Sequence, residues 1–560
     1  MRLDLLKKVV AAGVIGVLTM GILSGCGSSE RDMQAAELSG EDAETDREAE
    51  VNQEAYQGEQ DTSGGRTINF GIQNYGGGSI DPAAEINCAW NASRYGVGEC
   101  LFRFDHTMNV VNWLCDEYTV NEEHTEWVFH VRDGVKFSDG CDLTAEAVKA
   151  SFDRLYEAGA SGSSAPQKFL EEEAEITADN TSGSVTIKTV TPYVDLTKNL
   201  AYPVMVILDT EHTTDYAHAA IGTGPYVATN FREEVGYTMV ANEHYWGGEV
   251  PFQSIELMYM GDASAKAMAL QSGQLDLAEN VTNISDLRDL QADPGFTVTI
   301  ASGVRTGLAH MNMSEGKLLS DKTLREAVLM ALDDETMCSV TVGGLYTAGY
   351  SVLPSNLDYG YENLTDPDPY NPEAAKKLLD EAGIVDANGD GIRELDGRDV
   401  VLHYVTYDNR CLKDFAEAIQ TQLAEIGIGV DLEIGDSARQ WDSYQSGDFD
   451  LNGSNWTTVG TGDPAEYLAA WCSDSGADYC GYKNEEYDSL FHELTVTFDN
   501  DVRREIVQKM QQILLDDAAA VVHGYYNSSM VSRNETVGGA AISTADYYWI
   551  TTDVYPVAGS

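Results

Sequence analysis

The stretch from Trp127 to Arg154, WVFHVRDGVKFSDGCDLTAEAVKASFDR, constrains the fold of this chain more than any other. Trp127, Phe129 and Val131 alternate with Val128 and His130, the period of a strand with one apolar face. Asp133-Gly134 and Asp139-Gly140 each turn the chain. Thr144 then stands as a helix cap, with Glu146 in the first turn and Val148, Phe152 and Leu155 along one face. The result is a strand, a double turn and a capped helix in close succession.

At 560 residues the chain exceeds one ordinary core, so two or three lobes are expected, and 43% hydrophobic residues supply material for them. A net charge of −58 with no basic stripe excludes a nucleic-acid partner. Arg2, Lys7 and Lys8 precede an apolar run from Val9 to Leu23, too short for a membrane span and flanked like a secretory signal. Leu23-Ser24-Gly25-Cys26 resembles a bacterial lipobox, which would make Cys26 a lipidated N-terminus tethered to a membrane that the chain does not cross. Gly27 to about Gly65 is acidic and nearly free of aromatics, which predicts an extended spacer.

Thr67–Ile72 alternates as an opening strand, and Val185–Ile187 and Val204–Leu208 read as further strands. Ala263–Gln271 predicts a helix stopped at Gly273, and Leu324, Val328 and Ala331 share the face of another. Asn371-Pro372 opens a helix that Gly383 ends. Phe415, Ile419 and Leu423 stripe the next, followed by alternation at Ile428, Val430, Leu432 and Ile434. The last helix, about Asp501 to Leu515, carries Val502, Ile506, Ile513 and Leu514. Such βα units predict an α/β chain with helices on the faces of a mixed sheet.

Taken together these motifs resemble family 5 extracytoplasmic solute-binding proteins, the peptide/nickel group of ABC importers. The Trp127–Arg154 stretch, including Ser151 and Arg154, is similar to that family's signature. So are Ser79-Ile80-Asp81-Pro82, GTGPY (222–226), NEHYWGG (242–248), ALQSGQLDLA (269–278), DKTLREAV (321–328) and YNPEAAKKLLDEAG (370–383). The resemblance implies a type II periplasmic-binding-protein-like α/β fold, with two lobes around a ligand cleft and an inserted domain. Its layout would give a signal over 1–25, a lipidated linker over 26–65 and lobe I from 66–102 with 209–303 and 530–560. The inserted domain would cover 103–208 and lobe III 304–529. It also implies a disulfide between Cys472 and Cys480, capture of peptides or dipeptides by hinge closure, delivery to membrane permease subunits, and a monomer.

No nucleophile with a base, zinc-protease pair or phosphate loop stands in a convincing context, so catalysis is not expected. No C-x-x-C pair or Cys/His cluster at zinc spacing occurs. Asp386, Asn388, Asp390 and Glu394 follow the first half of a calcium loop, but Gly397 holds the position of its bidentate glutamate, so either calcium or an Asx-rich turn fits. No other cofactor is implied.

Candidate ligand contacts come from three places. Trp90, Asn91 and Arg94 begin the family's first helix, where Trp90 is either cleft wall or core. Tyr404, Tyr407 and Arg410 follow, with the tyrosines as stacking walls and the arginine as a carboxylate anchor. Trp456, Thr457, Thr461 and Asp463 lie in NWTTVGTGDP, similar to the family's binding segment, with Trp456 alternatively core and Asp463 alternatively a helix cap. Gly460 stands where peptide-binding members carry an acidic residue, and the arginine used by nickel-binding members has no match near Pro203. A nickel chelate is therefore the alternative solute, and a secreted hydrolase or sensory receptor the reading from another class.

Overall fold

A computed structural model describes residues 54–558 apart from 59, 62–64, 74–77 and 160–164. The signal over 1–25, Cys26 and nearly all of the linker lie outside the described residues. Among those described, no helix is long and apolar enough to cross a membrane.

In chain order the main elements are β1 (Thr67–Ile72), α1 (Ile86–Arg94), β2 (Cys115–Val120), β3 (Glu126–Val131) and α2 (Ala145–Glu157). Next come β4 (Glu175–Asp179), β5 (Ser184–Lys188), β6 (Tyr226–Arg232), β7 (Gly236–Ala241), β8 (Ser254–Tyr259), α3 (Ala263–Gln271) and β9 (Leu277–Glu279). The long β10 (Phe296–Met311) leads to α4 (Pro372–Glu381), β11 (Val401–Tyr407), α5 (Leu412–Glu425), β12 (Gly429–Gly435) and β13 (Leu451–Thr457). The chain closes with α6 (Asn500–Asp516) and a second long strand, β14 (Ala520–Arg533).

One mixed sheet runs β12-β11-β13-β10-β14-β9-β1-β8-β7-β6, with Tyr346–Thr347 added beside β14. β1 is parallel to β8 and β9, and β11 to β12 and β13. The antiparallel pair β10/β14 joins the two ends. Its register breaks between Ser302 and Thr306: Ser302 faces Asn527 and Thr306 faces Tyr525, so β10 carries extra residues opposite its partner. Such a bulge bends the strand, and here it stands where the β1 side of the sheet meets the β11 side. A separate sheet, β2-β3-β5-β4, is covered by α2.

The signature stretch folds as its pattern dictates. Trp127, Phe129 and Val131 are buried on β3, and Thr144 Oγ1 accepts the backbone N–H of Ala147 at 3.1 Å. Arg154 at the end of α2 donates both terminal nitrogens to Asp81, each at 2.6 Å, so the motif's arginine latches this helix to the Asp81-Pro82 segment. Ser151 Oγ accepts from the Leu208 N–H at 3.0 Å. GTGPY and NEHYWGG meet around buried Glu99. Thr223 Oγ1 and Trp246 Nε1 both donate to its Oε2, at 2.8 and 2.7 Å, and burial pushes its carboxyl up to about 7. A Cβ on Gly222 or Gly224 would sit 2.2 or 2.3 Å from the carbonyl oxygens of Val97 and Gly96, so only glycine fits there.

One local expectation changes. Val204–Leu208 is not a strand: Pro203–Met205 forms a 3-10 turn, consistent with proline's missing donor. On α6 Ile506, Val507, Met510 and Leu514 are buried and Val502 is exposed.

Candidate functional site

A cavity of about 370 Å³ lies between the segment 168–202 with Trp90 on one side and the segment 437–495 on the other. β13 carries Trp456 and Thr457 to its wall, and β11 ends there with Tyr407. The two sides meet around the loop 459–463. Lys198 Nζ donates to the Gly462 carbonyl at 2.9 Å, Tyr359 OH to the same oxygen at 3.0 Å, and Tyr547 OH to the Gly460 carbonyl at 3.1 Å.

Of the residues singled out from sequence, Trp90, Tyr407, Trp456, Thr457, Thr461 and Asp463 line this cavity. Trp90 stacks on Tyr547 with centroids 6.1 Å apart. Trp456 rests on His310 at 4.6 Å and Tyr467 at 5.8 Å, so it is cleft wall and core boundary together. Asp463 also keeps its capping role, since Oδ1 accepts the Ala465 N–H at 2.9 Å while Arg503 Nη2 donates to Oδ2 at 2.6 Å. With both oxygens engaged, Asp463 has little left for a solute.

The other four lie elsewhere. Tyr404 is fully buried and hydrogen-bonds His523 Nε2 at 3.1 Å; three residues from Tyr407 on one strand, it takes the opposite face. Asn91 is buried on α1 and does not line the cavity. Arg94 donates to the carbonyl and Oδ2 of Asp546 at 2.7 and 2.8 Å and covers Trp549 at 4.4 Å, which pins the C-terminal segment. Arg410 and Cys411 both have positive φ, and the sharp turn carries Arg410 off the cavity wall to lie 5.8 Å from the Tyr526 ring centroid.

Five charged residues of the cleft were not singled out from sequence, and three of them, Arg305, Lys168 and Glu466, have side chains without a hydrogen bond or ion pair among the described residues. Arg305 sits in the bulge of β10, opposite Thr457 of β13. It is half-buried, and its side chain has no hydrogen bond or ion pair among the described residues. Burial and then the neighbouring Arg410 push its pKa down to about 10, which leaves it charged at neutral pH. Lys168 ends the 3-10 turn Pro166–Lys168, and its Nζ is buried without a hydrogen-bond acceptor among the described residues. Burial lowers its pKa, against the pull of Glu466. Glu466, two residues past Pro464, is exposed, although the protein atoms around it push its carboxyl up to about 7. The signal for Arg305 was present: it is the single charged side chain in the strand run from Val298 to Leu308.

The loop Asp386–Glu394 turns its oxygens inward. Asp386 accepts the N–H groups of Gly389 and Gly391 at 2.6 and 2.9 Å, which hold its carboxyl below the usual range. Asp390 accepts from Ile392, Asn388 from Asp390 and Glu394 from Ala387, each at 2.8–2.9 Å, the bonding of an Asx-rich turn. Cys472 and Cys480 are free thiols: Cys472 Sγ faces Asp474 at 3.3 Å and Cys480 Sγ lies 3.7 Å from the Tyr444 hydroxyl. The two are not paired in this structure, with Cys472 in one apolar cluster and Cys480 in another. Folding also gathers ligand atoms that no linear spacing displays, in Asp139, Cys141, Asp209 and His212 and in Cys472, Asp474 and His492.

Residues 109–479 match the family model described as bacterial extracellular solute-binding proteins, family 5 Middle. The chain belongs to that family. This family 5 protein is 25% identical over 480 residues to the probable D,D-dipeptide-binding periplasmic protein DdpA of Escherichia coli (strain K12), covering 82% of this chain and 89% of the relative. Its fold is shared with the nickel ABC transporter of Bacillus halodurans, at a TM-score of 0.75 and 23% identity over 88% of this chain and all of that one. It is shared too with the oligopeptide-binding protein AppA of Bacillus subtilis solved with a nonapeptide, at a TM-score of 0.67 and 21% identity over 90% of this chain and all of that one. The architecture is thus the type II periplasmic-binding-protein fold of family 5.

Proposed function

We propose that this protein is the receptor of a bacterial ABC importer and captures short peptides in the cleft around Arg305. Closure would hinge where β10 and β14 lose register, and the loaded form would deliver its solute to membrane permease subunits without covalent chemistry. Arg305 carries this reading. The chain holds 92 Asp and Glu against 34 Lys and Arg, yet this guanidinium meets no carboxylate among the described residues and faces a cavity walled by aromatic rings. A solute carboxylate would complete it with charge-assisted hydrogen bonds. The lipobox at Cys26 and the acidic segment to residue 65 support a tether outside the membrane.

A nickel chelate remains the second reading, supported by the nickel-named structural neighbour. Nickel prefers imidazole and softer donors, and no His, Cys or Met lines the cleft among the described residues, so a nickel solute would enter as a chelate that brings its own donors.

Thermal unfolding of the full-length protein against di- to pentapeptides, and against nickel with and without histidine, tests the choice. A solute at 100 times its Kd raises stability by about 2.7 kcal/mol. Short peptides are expected to raise Tm; a response confined to nickel with histidine would reverse the order.

A further inference from the structure

The cleft's charges divide into those that the protein satisfies and those that it leaves open. Asp463 is held by Arg503 and the Ala465 N–H, Lys198 by the Gly462 carbonyl, and Asp195 caps Thr197 at 3.1 Å. The side chains of Arg305, Lys168 and Glu466 have no hydrogen bond or ion pair among the described residues. The open inventory is two cations and one carboxyl group, in a chain whose net charge is −58.

Their placement separates the two cations. Lys168 comes from the turn Pro166–Lys168 on one side of the cleft and shares its surroundings with Glu466 from the other side. Arg305 comes from the bulge of the long strand and shares its surroundings with Tyr407, Tyr547 and Arg410. They enter the cavity from different elements, so each offers its own place for a carboxylate. An enclosed cation without a partner is costly to keep, so two such sites in one cavity describe the ligand that offsets them.

We infer that the preferred solute is a short acidic peptide, its two carboxylates held separately by Arg305 and Lys168 and its ammonium group by Glu466. This rests on the cleft being the solute site proposed above. The selectivity arises locally: the acidic surface repels such a solute at long range, where salt screens it, while the contacts act at short range.

Calorimetric titration of the full-length protein with Ala-Ala, Ala-Glu, Ala-Lys and glutarate tests this. Ala-Glu is expected to bind about tenfold tighter than Ala-Ala, the scale of one charge-assisted contact, with Ala-Lys weakest. Lys168→Met should erase the advantage of Ala-Glu over Ala-Ala, Lys168→Arg should keep it, and Arg305→Gln should weaken both peptides alike. Glu466→Gln should weaken the peptides and spare glutarate. Equal binding of Ala-Glu and Ala-Ala, tighter binding of Ala-Lys, or an advantage that survives Lys168→Met would overturn the inference. Binding of glutarate without any dipeptide would remove the peptide reading and leave the two-cation assignment standing. Heat from neither class would overturn the assignment itself.

Discussion

Two arginines set in the body of this molecule have opposite surroundings. Arg325, buried near the start of its helix, donates to the carbonyls of Leu319, Ser320, Asp517 and Ala518 at 2.9–3.3 Å, tying two distant segments together. The side chain of Arg305, in the bulge of β10, donates to none among the described residues. The first is finished by folding; the second waits for something folding does not supply. A buried charge that the protein completes is a fastener, whereas one that it holds in place and leaves incomplete is a binding group.

This contrast is open to direct attack. The largest effect is expected from Arg325→Met, which strands four carbonyls and should cost about 3–5 kcal/mol in urea unfolding, with affinity of the folded fraction unchanged. Arg305→Met should do the reverse: at least about tenfold lower peptide affinity by calorimetry, with stability equal or higher. If both variants lose stability alike, the distinction fails. Asp463→Asn sharpens it from the cleft side. Because Asp463 is bound to Arg503, whose side chain is only 6% exposed, the variant should lose about 1–3 kcal/mol of stability and less than tenfold in affinity.

The smallest effect concerns His310, fully buried behind Trp456 with neither ring nitrogen bonded. Burial holds its pKa at about 3, below the ordinary value near 6.5. Between these values the unfolded chain binds the extra proton, so stability is complete above about pH 6.5 and falls as pH drops toward 3. His523 behaves alike. His310→Phe should gain about 1–2 kcal/mol at pH 7 and flatten the fall in urea midpoint between pH 7 and 5. An unchanged slope would mean that His310 does not titrate in this window.

What was legible in the sequence was whatever local pattern controls. The Trp127–Arg154 stretch, the Asn371 cap and the β11–α5–β12 unit could be read because their alternation, capping and helical stripes act over a few residues. Even Tyr404 and Tyr407 carried readable parity, since two strand residues three apart cannot face one cleft. Arg94 was misplaced because its partner Asp546 lies 452 positions away. Lys168 and Glu466 were missed for the same reason: neither is unusual alone, and only folding brings a turn near residue 168 against the helix that follows Pro464. Completeness of hydrogen bonding is a property of the folded chain. It separated Arg305 from Arg325, and no pattern in the sequence expresses it.

The most direct test of Arg305 as the solute's anchor is a crystal structure of the protein grown with alanyl-glutamate. The account predicts a ligand carboxylate about 2.7–2.9 Å from the Arg305 guanidinium, the spacing of a charge-assisted pair, with the second carboxylate toward Lys168. A peptide bound with its carboxylates away from Arg305, or an Arg305 turned onto a protein acylate or carbonyl in the loaded cleft, would contradict it.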